Sequence, residues 1–359
     1  MKRLGNLRFR LCGNYFDRYE QELAIFETDF GRACLLAGLI VLFGIVPFIS
    51  GPYTLYILIV IAITSIAALG LNILVGFTGQ LSLGHGAFFG VGAYTAAILA
   101  TKYNCPFIVA VVAAGFITAL IGIGFGLPSI RLKGLYLTIA TLAGQFIIEH
   151  VLVHWESLTR GVRGIVVPFP SLFGFYLDGD IAYFYVTFIS LVIMTLVAVN
   201  IVRSRYGRAF VAIRDNDRAA EGMGIPIFPY KLLAFAISSF YAGFAGALWA
   251  YHSVSFNPEP FTLMLSVEYI AIIIIGGLGS IPGAIFGATF MTMLNEILRG
   301  STQFLMNLSI LKGMDLTLAP LREFAFGLAI VLFIIFEPRG LAELWRIIKS
   351  NFRLWPFSY

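Results

Sequence analysis

Six polar side chains stand inside or beside long apolar runs: Asn72, Gln80, Ser82, His85, Glu268 and Tyr269. Polar and ionisable groups at membrane depth are costly and mark pathways for ions or small solutes. These six can supply hydrogen bonds to the ammonium, carboxylate or amide groups of a solute. Each also has a plainer use. Asn72 and Gln80 can join helix to helix, and His85, just before Gly86, can bind carbonyls freed where a helix breaks. Glu268 and His85 are the candidates for an ion or proton relay. His150 and His154 have i, i+4 spacing that suits a metal, with Glu149 beside them, but no further ligands accompany them. No Ser/His/Asp set, paired carboxylates or cofactor loop stands at working spacing. No Gly-Lys-Ser or Gly-Lys-Thr phosphate loop occurs. The sequence therefore predicts no enzyme, no cofactor, no metal site and no ATP binding of the P-loop kind.

The elements that position these residues follow from composition. The chain is 59% hydrophobic and 12% charged, with a mean hydropathy of +0.90. That excludes a soluble domain and implies a polytopic all-α membrane protein. The net charge of +5 is placed as membrane topology places it, so no nucleic-acid partner is expected. Cys12, Cys34 and Cys105 form neither a disulfide framework nor a metal spacing. About ten transmembrane or re-entrant helices are expected, near 33–49, 53–76, 82–101, 106–127, 135–153, 182–202, 230–252, 266–281, 283–298 and 322–337. With both termini inside, 18 of the 24 Lys and Arg fall in inner segments. Residues 1–32 read as a cytoplasmic segment without a signal peptide, 33–345 as the membrane domain and 346–359 as a cytoplasmic tail.

Glycine clusters interrupt two of these spans: Gly79, Gly84 and Gly86, then Gly276, Gly279 and Gly283. Irregular backbone at membrane depth is tolerated only where protein or a water-filled cavity surrounds it. Broken helices of this kind are a transporter signature. Gly79, Leu81, Gly86, Ala87, Phe89 and Gly90 match Gly276, Leu278, Gly283, Ala284, Phe286 and Gly287 without gaps, 197 residues on. This suggests a parallel duplication, with halves near 11–130 and 208–340. Recurrent small-residue helix packing is the alternative.

The inner loop 203–229 carries charge on an apolar frame. Ala209 to Gly224 reads as one short amphipathic helix bearing Arg214, Asp215, Arg218 and Glu221, with Ala219 and Ala220 between them. Such a helix can lie on anionic lipid or seat in a partner protein. Its interleaved acids disfavour lipid alone.

Four ordered motifs carry a family resemblance: Gly76–Tyr94 (GFTGQLSLGHGAFFGVGAY), Ala212–Glu221 (AIRDNDRAAE), Gly276–Ala284 (GGLGSIPGA) and Phe336–Leu341 (FEPRGL). Over roughly residues 30–345 the chain resembles the permease subunits of branched-chain amino acid ABC importers. The resemblance implies a paralogous permease, two cytosolic ATP-binding subunits and a periplasmic substrate-binding protein as partners, at the inner membrane. It implies that Arg214, Asp215, Arg218, Ala219, Ala220, Glu221 and Gly224 belong to an ATPase-coupling element. Thr159–Ile165 resembles a family loop on the binding-protein face, with Arg160 and Arg163 as departures. Urea or a short amide is an alternative cargo. A stand-alone secondary transporter or channel is the rival reading.

Overall fold

The computed structural model describes residues 38, 40–130, 132, 134–172, 175–176, 179–307, 324, 327–328, 330–333, 335, 337 and 340–354. The all-α expectation holds. The main helices are α1 (Pro52–Asn72), α2 (His85–Lys102), α3 (Phe107–Gly126), α4 (Leu135–His154), α5 (Asp180–Arg203), α6 (Arg205–Asp215), α7 (Asp217–Gly222), α8 (Ile227–Ser253), α9 (Leu263–Gly276), α10 (Ile281–Asn307) and α11 (Leu341–Leu354). A π-helical turn, Ile73–Phe77, prolongs α1. Two units are distinguished, Tyr56–Glu343, and Met1–Leu55 together with Leu344–Tyr359. The first contains both helix breaks and the cavity. In the second, Val41–Ile45 forms a π turn and Val46–Ile49 one helical turn. The boundary read at 345/346 falls inside α11.

Six helices among the described residues are long and apolar enough to cross a membrane: Pro52–Phe77, α3, α4, α5, α8 and Ile281–Gly300. The expected count of ten is not reached there. The spans near 33–49 and 322–337 are only partly among the described residues. The one at 266–281 is the 14-residue α9, about 21 Å long and too short to cross alone. The one at 82–101 is α2, which begins beside the middle of α1.

The core is built by close backbone approach. In α1, 78% of the apolar stretch is buried, against 28% in α5, so α1 is central and α5 a rim helix. Its Ile189, Ile193 and Leu196 are exposed. Residues all round α2 are buried from His85 to Ala97, as befits an apolar helix enclosed by others. Glycine makes this possible. A Cβ on Gly92 of α2 would collide with the backbone of Gly243 in α8, and one on Gly246 with the carbonyl of Phe89. These are the small-residue contacts by which membrane helices associate.

The loop helices correct the sequence reading. The single helix expected over Ala209–Gly224 is two, α6 and α7, with extended Asn216 between them. Asn216 Oδ1 accepts from the amides of Arg218 (3.0 Å) and Ala219 (3.1 Å). Ser204 caps α6 in the same way, accepting from Tyr206 N at 3.1 Å. Each cap satisfies amides that a helix start leaves unpaired.

Packing predicts the cost of filling these contacts. Gly92→Leu should lower the apparent melting temperature of the detergent-purified protein, or prevent its recovery, because an overpacked core costs ~1–3 kcal/mol or more. Gly124→Leu, which meets open space, should leave melting unchanged. Equal melting of both variants would contradict the α2–α8 contact.

Candidate functional site: a joint of two broken helices and a cavity

The first break starts at the π turn. Thr78 Oγ1 donates to the carbonyl of Leu74. Gly79 then takes φ +69, open to glycine without a Cβ clash. The chain doubles back without helix until His85. His85 Nε2 lies 3.0 Å from the carbonyl of Ala67, which lies about 15 Å of helix before Phe77. The segment 78–84 therefore climbs alongside α1 inside the bundle.

Several of its backbone amides have protein partners. Leu83 N donates to Thr141 Oγ1 (3.0 Å) and Gly84 N to Ser82 Oγ (3.3 Å). The exposed amides of α2 are taken up as well: Gly86 N by Ser266 Oγ (2.8 Å) and Ala87 N by Gln145 Oε1 (2.8 Å). Gln145 also accepts from Ser266 Oγ (3.1 Å) and donates to the carbonyl of Phe261 (2.8 Å). This fully buried side chain joins α2, α4 and α9. Sequence reasoning missed it, although a lone amide in the apolar run 135–153 was the signal.

The second break meets the first. Gly277 and Gly279 have φ +113 and +73, and α10 starts at Ile281. Asn72 Oδ1 accepts from Gly279 N at 2.9 Å, and its Nδ2 donates to the carbonyl of Ser280 at 2.7 Å. A Cβ on Gly76 would collide with the Gly279 amide. From the loop helices, Arg214 Nη1 donates to the carbonyl of Gly76 at 3.0 Å, while its stem packs under Gly79. Gly340, at φ +78, has no room for a Cβ against the backbone of Gly277. All four sequence motifs thus converge on one joint.

Of the six polar candidates, Asn72, Gln80, Ser82 and His85 are each under 5% exposed and bonded within the protein. Gln80 Nε2 lies 3.3 Å from Thr78 Oγ1 and 3.5 Å from the carbonyl of Lys231, and its Oε1 is buried with no hydrogen-bond partner among the described residues. Glu268 and Tyr269 line a cavity of about 250 Å³. Tyr56, Ile63, Trp249 and Phe261 form part of its apolar wall, and Asn295, Glu296 and Arg299 face them. His85 meets Tyr269 edge to face, with ring centroids 5.2 Å apart.

In the loop, Lys231 Nζ holds Asp217 Oδ2 at 2.8 Å, and Arg214 also pairs with Asp215 at 3.0 Å. Ala220 is buried, while Arg218, Ala219, Glu221 and Gly224 are exposed. Gly224, at φ +84, turns the chain away from α7. On the far side, Ile165 and Val166 pair antiparallel with Phe256 and Ser255. Gly164 packs there against the carbonyl of Phe256, leaving Arg160 and Arg163 exposed. Among the described residues no three of His, Cys, Asp and Glu gather as a metal requires. His150 and His154 stack on each other at 3.9 Å.

Comparison with known proteins decides the family. Residues 53–335 match the family described as branched-chain amino acid transport system / permease component. The chain belongs to that family. It is 32% identical to the high-affinity branched-chain amino acid transport system permease protein LivM of Escherichia coli (strain K12), over 90% of this chain and 78% of that protein. It is 27% identical to the permease protein LivH of the same kind of system in Salmonella typhimurium, over 63% of this chain and 79% of that protein. It is 24% identical to the autoinducer 2 import system permease protein LsrC of Escherichia coli O9:H4, over 52% of each. No solved structure matches. The chain is thus a multi-pass membrane permease.

The joint makes a prediction. Asn72→Leu leaves the Gly279 amide unpaired, a loss of about 1–3 kcal/mol. The purified permease should melt several degrees lower. Ser82→Ala, which removes a bond internal to one loop, should cost less. Melting unchanged in Asn72→Leu would contradict the bridge.

Proposed function

We propose that this chain is the membrane-spanning permease subunit of an ATP-driven importer of branched-chain and other hydrophobic amino acids. It works beside a paralogous permease, on two cytosolic ATP-binding subunits, and receives cargo from a periplasmic binding protein. Family membership supports the transport class. Likeness to both LivM and LivH supports a pair of related permeases. The termini and the loop 203–229 lie on the cytoplasmic side, by the distribution of Lys and Arg.

The observation that carries the mechanism is Arg214. It leaves the loop helices and donates to the carbonyl of Gly76 at the first break. Asn72 ties that break to the second. Movement of α6 and α7 on an ATPase would reach α1 and α9–α10 through one chain of part-buried hydrogen bonds. The exposed Arg218, Ala219, Glu221 and Met223 offer the surface on which the ATPase pushes. Asn72, Gln80, Ser82 and His85 shape the inner half of the pathway, and Glu268 and Tyr269 the outer half. The break-containing pairs α1–α2 and α9–α10 are two copies of one unit. Their second helices start at His85 and Ile281, within one residue of the 197-residue repeat.

Co-purification from native membranes in mild detergent should recover the two ATPases and the second permease with this chain. Glu221→Arg should leave membrane insertion intact yet cut ATP-driven leucine uptake at least tenfold. Like-charge contact at a seated helix costs several kcal/mol. If lipid were the partner, the added positive charge would strengthen contact and spare uptake. Unchanged uptake would overturn the coupling role. Uptake in liposomes by the chain alone, without ATP, would overturn the importer reading.

A further inference from the structure

The cavity is built from opposed stripes. Tyr56, Ile57, Val60, Ile63 and Thr64 present one face of α1, at the spacing that brings helix positions onto a common side. Leu265, Trp249 and Phe261 continue that apolar wall. Thr292, Asn295, Glu296 and Arg299 do the same on α10, with polar groups.

The polar stripe carries both signs within a short distance. Arg299 Nη1 lies 3.5 Å from Glu296 Oε1, and Asn295 Nδ2 donates to Glu268 Oε1 at 3.0 Å. The other oxygen of Glu296, Oε2, is enclosed without a hydrogen-bond donor among the described residues. A buried carboxylate oxygen without a donor loses free energy that a ligand N–H can restore. The volume, about 250 Å³, lies below the range of drug-sized pockets, so it suits one small solute.

We propose that this cavity holds one zwitterionic α-amino acid in transit. Its ammonium lies on Glu296 and Glu268, its carboxylate on Arg299, and its apolar side chain on Ile57, Val60, Ile63 and Leu265. The proposal rests on the importer reading for its cargo class. The charges are consistent with that class. The two carboxylates disfavour a free anion, and a zwitterion is complementary to both signs of charge. The aromatic and aliphatic wall excludes polar side chains, because they would be buried without partners.

Calorimetry on the assembled, detergent-solubilised importer, without binding protein, tests the site. The probes are leucine, leucinamide (no carboxylate) and N-acetyl-leucine (no ammonium). Wild type should bind leucine at least tenfold more tightly than either analogue. Glu296→Gln should weaken leucine at least tenfold. Arg299→Gln should abolish the preference of leucine over leucinamide. Val60→Trp, which fills the cavity and leaves the charges in place, should abolish binding in assemblies that remain monodisperse. No leucine binding to wild type, or equal binding of the three probes, would overturn the site. So would indifference of leucine to Glu296→Gln and Arg299→Gln. ATP-driven leucine uptake by wild type is measured in parallel. Uptake with no charge-dependent binding leaves the importer and removes the site. Charge-dependent binding without uptake leaves the site and removes the importer.

Discussion

The side-chain amide of Asn72 holds two interrupted helices together. Both interruptions expose backbone groups inside an apolar bundle, where an unpaired amide or carbonyl costs several kcal/mol. Asn72 has one acceptor and one donor aimed at them, taking the Gly279 amide and giving to the Ser280 carbonyl. This works only if the backbones of Gly76 and Gly279 almost touch, which side chains would forbid. The positive φ of Gly79, Gly277 and Gly279 follows from the same demand. Arg214 and Gly340 then complete the joint from the loop and from the region before α11. The four motifs are distant in sequence because each is one wall of a single small structure.

That joint sits at one end of the helices whose other ends form the cavity. Val60 lies about 18 Å along α1 from Asn72, and Glu268 and Glu296 stand on α9 and α10 beyond the second break. In the proposed importer, a shift at Arg214 tilts α1 against α9–α10 and so changes the width of the cavity. The neighbouring helices α2 and α8 are packed through glycine contacts at Gly92, Gly243 and Gly246. Gln145 fixes the start of α2 against α4 and α9.

Much of this was legible in the sequence, and the remainder has definite causes. Composition revealed the membrane class, and glycine spacing marked both breaks to within a few residues. Asn72 was visible as a costly polar group, but its partner lies more than two hundred residues away, so cargo and helix bonding read alike. Glu268 and Tyr269 were singled out without their companions on α10, since Glu296 and Arg299 look like an ordinary surface pair at i, i+3. Asn216 was read as part of a continuous helix, although asparagine before Asp217 is also a capping signal. Span counting was loosest at two places: α9 is apolar but only 14 residues long, and α2 is 18 residues long but is not among the helices apolar enough to cross.

The most direct test of the joint is a double-mutant cycle in the reconstituted importer. ATP-driven uptake is measured for Asn72→Ala, Arg214→Ala and the pair. If both residues act through one structure, the double variant should lose no more than about threefold beyond the worse single variant, because coupled sites are not additive. A double loss equal to the product of the two single losses would show that Asn72 and Arg214 act independently, and would contradict the account.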